Sequence, residues 1–170
     1  MTNKVYPTGF RHMHMLIAVL FIGMLTWGLL LDTIGLTAWH KRVGIITLVM
    51  VIIFLCQRLG QKHIPYPASM PQWQQVIAAI VIKLIWILML TMPLSGLLMT
   101  MLSGKYATFF SVPVMIPGMA INFDDAHIFG TIHQYVAYTL IGLIVLHILA
   151  ALRHKCICHD DVCARMFPPK

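Results

Sequence analysis

Nine histidines stand in a chain of 170 residues of which 59% are hydrophobic and only 10% charged, and their spacing sorts them. His133 and His147 are 14 residues apart in one apolar run. Fourteen residues make almost four helical turns, so both side chains leave nearly the same helix face, about 21 Å apart along the axis. His14 and His40 stand at the ends of two other apolar runs. Ionisable groups inside a bilayer are costly and usually mark function. Matched by depth, these four make two pairs, His14 with His147 and His40 with His133. Imidazoles that face each other across a helix bundle suit haem iron. The spacing alone is also compatible with a non-haem metal, a proton relay or plain packing. If two imidazoles fill both axial positions of a haem, the iron has no open site, and one-electron transfer at the porphyrin edge is the chemistry left to it.

The other five histidines carry less. His12 lies roughly opposite His14 on a helix, so one of the two faces the bundle. His63, His154 and His159 fall on a polar fringe and are expected to be solvated, and His127 is a candidate for lining a substrate mouth.

The elements that must position these residues follow from hydropathy. A soluble domain carries roughly 25% charged residues; a mean hydropathy of +0.84 with 10% charge cannot cover a water-facing surface. Disorder is excluded on the same ground. The chain is expected to be an all-α membrane protein, because lone strands cannot satisfy their backbone groups in lipid. A span needs about 20 apolar residues, and four segments qualify, near 13–31, 43–57, 76–102 and 133–152. The second is short unless His40, Lys41 and Arg42 count as membrane. The first is too long for the apolar region of a signal peptide and has no A-x-A site before Asp32.

The net charge of +7 would suggest nucleic acid in a soluble protein; here it reads as cations held on one membrane face. One side carries Lys4, Arg11, Arg58, Lys62, Arg153, Lys155, Arg165 and Lys170, the other Lys41, Arg42 and Lys105 with Asp32, Asp124 and Asp125. That excess places both termini of a four-transmembrane-helix bundle in the cytoplasm. The short 32–39 link makes spans one and two antiparallel neighbours. Pro65, Pro67 and Pro71 mark a linker. The long connection 103–132, with Pro113, Pro117 and Gly118, ends in Asn122 and the Asp124–Asp125 pair, a helix N-cap signal that would start the fourth helix near Asp125 and put His127 in its outer extension.

With these residues in place, the chain resembles the bacterial cytochrome b561 family of four-helix di-haem membrane cytochromes. The matching pieces are His14 in HMHML, His40 and Gly44 in HKRVGI, Arg58 closing span two, Pro93 and Gly96 in MPLSG, His133 and His147, and Arg165, Met166 and Pro168 in DDVCARMFP. The resemblance covers nearly the whole chain, read as a single domain over 1–170. It implies two haem b groups ligated by His14/His147 and His40/His133, and a membrane quinone as diffusible substrate. Some members are described as oxidising superoxide and passing the electron to ubiquinone. Two departures stand out: the residue after the first ligand, often Trp in the family, is Met15, and span three carries Lys83 and Trp86 where some members carry histidines.

Cations near the ligands have several readings. Lys41 and Arg42 follow His40 directly; they would neutralise haem propionates, draw a small anion such as superoxide, or simply anchor the interface. Arg153 and Lys155 could serve the inner propionates. Lys83, about 10 Å into span three, either snorkels to the interface or meets a propionate or a quinone carbonyl, whose developing negative charge an ammonium favours. Cys56 reads as a packed thiol. Cys156, Cys158 and Cys163 with His154 and His159, in HKCICHDDVC, offer a soft-metal set at no standard zinc spacing, and a reducing cytoplasm accounts equally for free thiols. The thirteen methionines sit mostly in apolar runs, as gap fillers.

The expected function is a b-type cytochrome of the bacterial inner membrane. It would carry single electrons between a donor or acceptor at one face and quinone, as an oxidoreductase with superoxide:ubiquinone as the leading reaction. The alternative is a haem-b anchor subunit of a larger dehydrogenase or hydrogenase, for which a protein partner is required. Membrane lipid is the expected surround, and nucleic acid is not an expected partner.

Overall fold

The computed structural model describes residues 5–62, 64–105, 107–109, 112–114 and 120–167, excepting the side chains of 32, 34, 107–109 and 112–114. His63, Pro117, Gly118, Lys4, Pro168 and Lys170 lie outside the described residues. Four helices are long and apolar enough to cross a membrane: α1 (Thr8–Leu29), α3 (Thr37–Leu59), α4 (Gln72–Leu102) and α5 (Phe123–Arg153). A single turn, α2 (Leu31–Ile34), links α1 to α3. Gly35, at φ 71° and ψ −131°, adopts a conformation only glycine takes cheaply, and Leu36 follows in the left-handed region at φ 56°. This tight reversal makes α1 and α3 antiparallel neighbours. The result is the expected all-α membrane bundle, with one addition. The long connection between α4 and α5 contains a two-stranded antiparallel ribbon, β1 (Ala107–Phe109) and β2 (Val112–Val114), in register Ala107↔Val114.

Each of the four long helices is longer than the span expected from hydropathy, although α1 ends at Leu29, two residues before the expected end at 31. α5 begins at Phe123, ten residues before the apolar run, because the Asn122 side chain accepts hydrogen bonds from the Asp124 and Asp125 backbone N–H groups at 3.1 Å each. Asp124 and Asp125 also complement the positive end of the helix dipole. α1 and α4 start directly after Pro7 and Pro71. At 1.5 Å per residue the 31 residues of α4 and of α5 make about 46 Å, so both helices extend past roughly 30 Å of hydrocarbon.

Each helix turns one stripe inward. In α1 the buried residues are Phe10, Ile17, Phe21 and Leu25, and His14 fills the gap in that stripe. In α3 the stripe runs His40, Gly44, Thr47, Val51, Phe54, and in α5 it runs His133, Val136, Leu140, Ile144, His147. The histidines thus sit on the same i, i+3/i+4 ridges that form the core. That core is small, with Val51 and Leu140 fully buried, while large apolar side chains such as Val19 and Ile87 cover the exterior. A soluble protein rarely exposes so continuous an apolar surface; a bundle whose solvent is lipid does. α4 and α5 pack most extensively on each other, α1 against α3, and α3 against α4.

The beginning and end of the described chain meet at one end of the bundle, where the Tyr6 N–H donates to the Arg165 carbonyl at 3.1 Å. Arg58 stands between the rings of Tyr6 (5.7 Å) and Trp86 (5.1 Å) there. Beyond α5 the helix widens into one π-helical turn, His154–Cys158. Two sequence expectations are corrected here. His154 is buried, not solvated, because the chain folds back so that its Nδ1 meets the Asp160 carboxylate at 2.6 Å. Cys56 is exposed on the outside of α3, not packed, because the inward stripe passes through Phe54, about 200° round the helix from it.

Candidate functional site

At the terminal end, α1 carries His14 and α5 carries His147, and their ring centroids lie 6.5 Å apart at an interplanar angle of 56°. Phe54 of α3 closes the third side, 6.2 Å from His14, and itself stacks on Phe10. Phe54 occupies the position fourteen residues after His40, so α3 offers an aromatic wall at this level and an imidazole only at the other. A cavity of about 380 Å³ reaches His147 between α4 and α5, walled mainly by apolar side chains such as Trp73 and Ile77, with Arg153 and His154 also on its lining.

At the opposite end, His40 and His133 line one cavity of about 360 Å³. Gly28 of α1, Gly44 of α3 and Gly96 of α4 line it too, so three helices each withhold a side chain at this level. The Gly28 and Gly96 positions are also where the imidazoles approach backbone. A Cβ at residue 28 would lie 3.5 Å from His40 Cε1, and one at residue 96 would lie 2.8 Å from His133 Cε1. The Trp27 ring stands edge-on to His40 at 5.9 Å. The His133 Nδ1–H donates to the Met92 carbonyl at 2.8 Å, with the Ser95 hydroxyl 3.2 Å away. Ser95 Oγ itself donates to the same carbonyl at 2.9 Å. The MPLSG segment thereby acquires a physical meaning. Met92 supplies the acceptor, Pro93 interrupts the helix ladder beside it, Ser95 adds a polar contact, and Gly96 lets the ring in. With the proton held on Nδ1, the His133 Nε2 lone pair is directed as a ligand.

These residues fit a bis-imidazole metal group on three observations. With metal–nitrogen bonds of about 2.0–2.1 Å, two trans imidazoles have centroids roughly 6 Å apart, close to the His14–His147 spacing. Nδ1 of His14 and Nδ1 of His40 are buried without a hydrogen-bond partner among the described residues, a cost that coordination through that nitrogen would remove. The glycine-lined cavity is a cradle that added Cβ atoms would fill.

The remaining candidates are placed as follows. Lys41 lines the cavity with His40, whereas Arg42 stacks over Trp39 at 5.0 Å and is absent from that lining. Lys83 is exposed on α4 and lines neither cavity. His12 and His127 are exposed. The supporting residues around His133, namely Met92, Ser95 and Gly96, went unassigned by spacing alone; the signal was a Pro and a Gly inside an otherwise regular apolar helix.

A bundle of four apolar helices that carries half-buried imidazole pairs at two depths defines a class, the helical membrane proteins that hold a metallocofactor between their spans. The chain belongs to the prokaryotic cytochrome b561 family, whose sequence model matches residues 5–169. It is 28% identical over 165 residues to cytochrome b561 homolog 2 of Escherichia coli strain K12, across 90% of this chain and 86% of that one. It is 30% identical over 136 residues to cytochrome b561 homolog 1 of the same organism, across 76% and 73%. Membership makes it a multi-pass bacterial membrane cytochrome that carries electrons on haem b.

Proposed function

We propose that this chain holds two haem b groups, one between His14 and His147 and one between His40 and His133, and passes single electrons between an outer donor and membrane quinone. The observation that carries this reading is the placement of two imidazole pairs on the inward stripes of α1, α3 and α5, with α5 contributing to both. When bound, haem would supply one-electron oxidation and reduction. The chain's own residues do the rest. Met92 and Ser95 fix the His133 tautomer and orientation. The apolar core residues Val51, Val136 and Leu140 keep water out between the two levels. Lys41, on the lining of the far cavity, presents a cation that favours the approach of a small anion and offsets propionate charge. The excess of Lys and Arg at the terminal end sets that end in the cytoplasm of an inner-membrane protein.

Superoxide is the proposed donor and ubiquinone the acceptor, the quinone ring approaching through the apolar cavity that reaches His147. The balance is two superoxide anions oxidised to two dioxygen molecules, with one quinone taking two electrons and two protons to become quinol. The test is to supply superoxide to the purified chain in detergent with ubiquinone. Quinol formation above the rate without protein, at two superoxide consumed per quinol, is expected. Quinol formation that requires a co-purifying dehydrogenase or hydrogenase would overturn this reading in favour of an electron-transfer anchor subunit.

A further inference from the structure

The C-terminal turn beyond α5 gathers a second set of metal-binding groups that the haem sites do not use. A ring nitrogen of His154, the thiol of Cys158 and a carboxylate oxygen of Asp160 all lie within 4.8 Å of one another. Local backbone geometry assembles them. The π-helical turn His154–Cys158 brings Cys158 round to His154, and such turns are rare and concentrate at functional sites. His159 then takes a left-handed conformation at φ 50°, uncommon for a residue with a Cβ. This reverses the chain so that the Asp160 N–H donates to the His154 carbonyl at 3.3 Å. The Asp160 carboxylate is held at both oxygens, by His154 Nδ1 at 2.6 Å and by the Val162 N–H at 3.1 Å. His154 is 8% exposed, so the group is anchored on its inner side, while Cys158 opens to the surroundings.

We propose that His154, Cys158 and Asp160 bind one divalent cation of the zinc class. One nitrogen, one sulfur and one oxygen ligand are the borderline donor mixture that Zn²⁺ takes. Bonds of about 2.0–2.3 Å in a tetrahedron put ligand atoms roughly 3.5 Å apart; the cation would draw Cys158 inward and open the His154–Asp160 pair from its 2.6 Å contact, displacing the proton they share. Three protein ligands leave the fourth position to water. Cys156 and Cys163 stand outside the cluster, so this is not a thiol-rich site, and the ligand that sequence spacing missed is Asp160. His154 also lines the cavity that reaches His147, so the cation would fasten the tail turn to a wall of that cavity.

The experiment titrates Zn²⁺ into the purified full-length chain, freed of metal by a chelator, while calorimetry records stoichiometry and affinity and mass spectrometry records alkylation of each cysteine. One Zn²⁺ per chain is expected, with Cys158 protected from alkylation and Cys156 not. Cys158→Ser and Asp160→Asn should each weaken binding by tenfold or more, and Cys156→Ser should leave it unchanged. Haem absorbance confirms that each variant is folded. Absence of binding at micromolar Zn²⁺ would overturn the proposal. So would binding that survives both Cys158→Ser and Asp160→Asn, or that is lost with Cys156→Ser.

Discussion

Gly96→Ala isolates the geometry of the far-end site with the smallest available change. The added Cβ would lie 2.8 Å from His133 Cε1 and 3.0 Å from Nδ1. Unstrained carbon contacts need about 3.5–4.0 Å, so the imidazole must retreat by about 0.7 Å or more. A retreat of that size takes the 2.8 Å bond from Nδ1 to the Met92 carbonyl to the limit of hydrogen bonding and costs about 0.5–1.5 kcal/mol. It also moves the ligating nitrogen by several times the roughly 0.2 Å that metal–ligand distances tolerate. Alanine is the better helix former by up to about 1 kcal/mol, so α4 should not unfold. Haem per chain, measured by pyridine haemochrome against protein concentration, is expected to fall from two toward one. Gly23→Ala, which meets nothing within 4 Å, should keep both. A Gly96→Ala protein with two haems and an unaltered spectrum would refute the account of how His133 is seated.

Three further outcomes follow from the same geometry. His40→Ala and His133→Ala should each lose one haem, and the double variant should lose no more than either single one; additive loss would break the pairing. Lys83→Met should leave haem content and quinone reduction rate unchanged, since Lys83 is exposed and lines neither cavity; a several-fold slower rate would place its ammonium at the quinone. Arg165→Ala should lower stability by about 2 kcal/mol in thermal unfolding while sparing both haems. The buried guanidinium donates to the Ile64 carbonyl at 3.2 Å and to Asp161 at 3.3 Å, tying the tail to the 60–67 linker; an unchanged midpoint would remove it from the stabilising contacts.

What was legible in the sequence was whatever lipid or helical periodicity dictates. Four apolar runs gave four helices, and the 14-residue spacing of His133 and His147 put both on one stripe of α5. Hydropathy marks the part of a helix that lipid surrounds, not the helix itself, which is why α5 reaches back to its Asn122 cap and α3 starts at Thr37. The contacts that seat His133 depend on a carbonyl beside Pro93 and on a missing Cβ at Gly96, neither of which has a periodic signature. Burial of His154 has no signature in the sequence because it depends on a chain reversal at His159, where no glycine announces a left-handed residue.

The most direct measurement is a reduced-minus-oxidised spectrum of the purified chain together with its haem-to-protein ratio. Two b-type haems per polypeptide, both six-coordinate in either oxidation state, are predicted. A ratio of one, or a ferrous spectrum that shifts on adding carbon monoxide and so reveals an open axial position, would contradict the account.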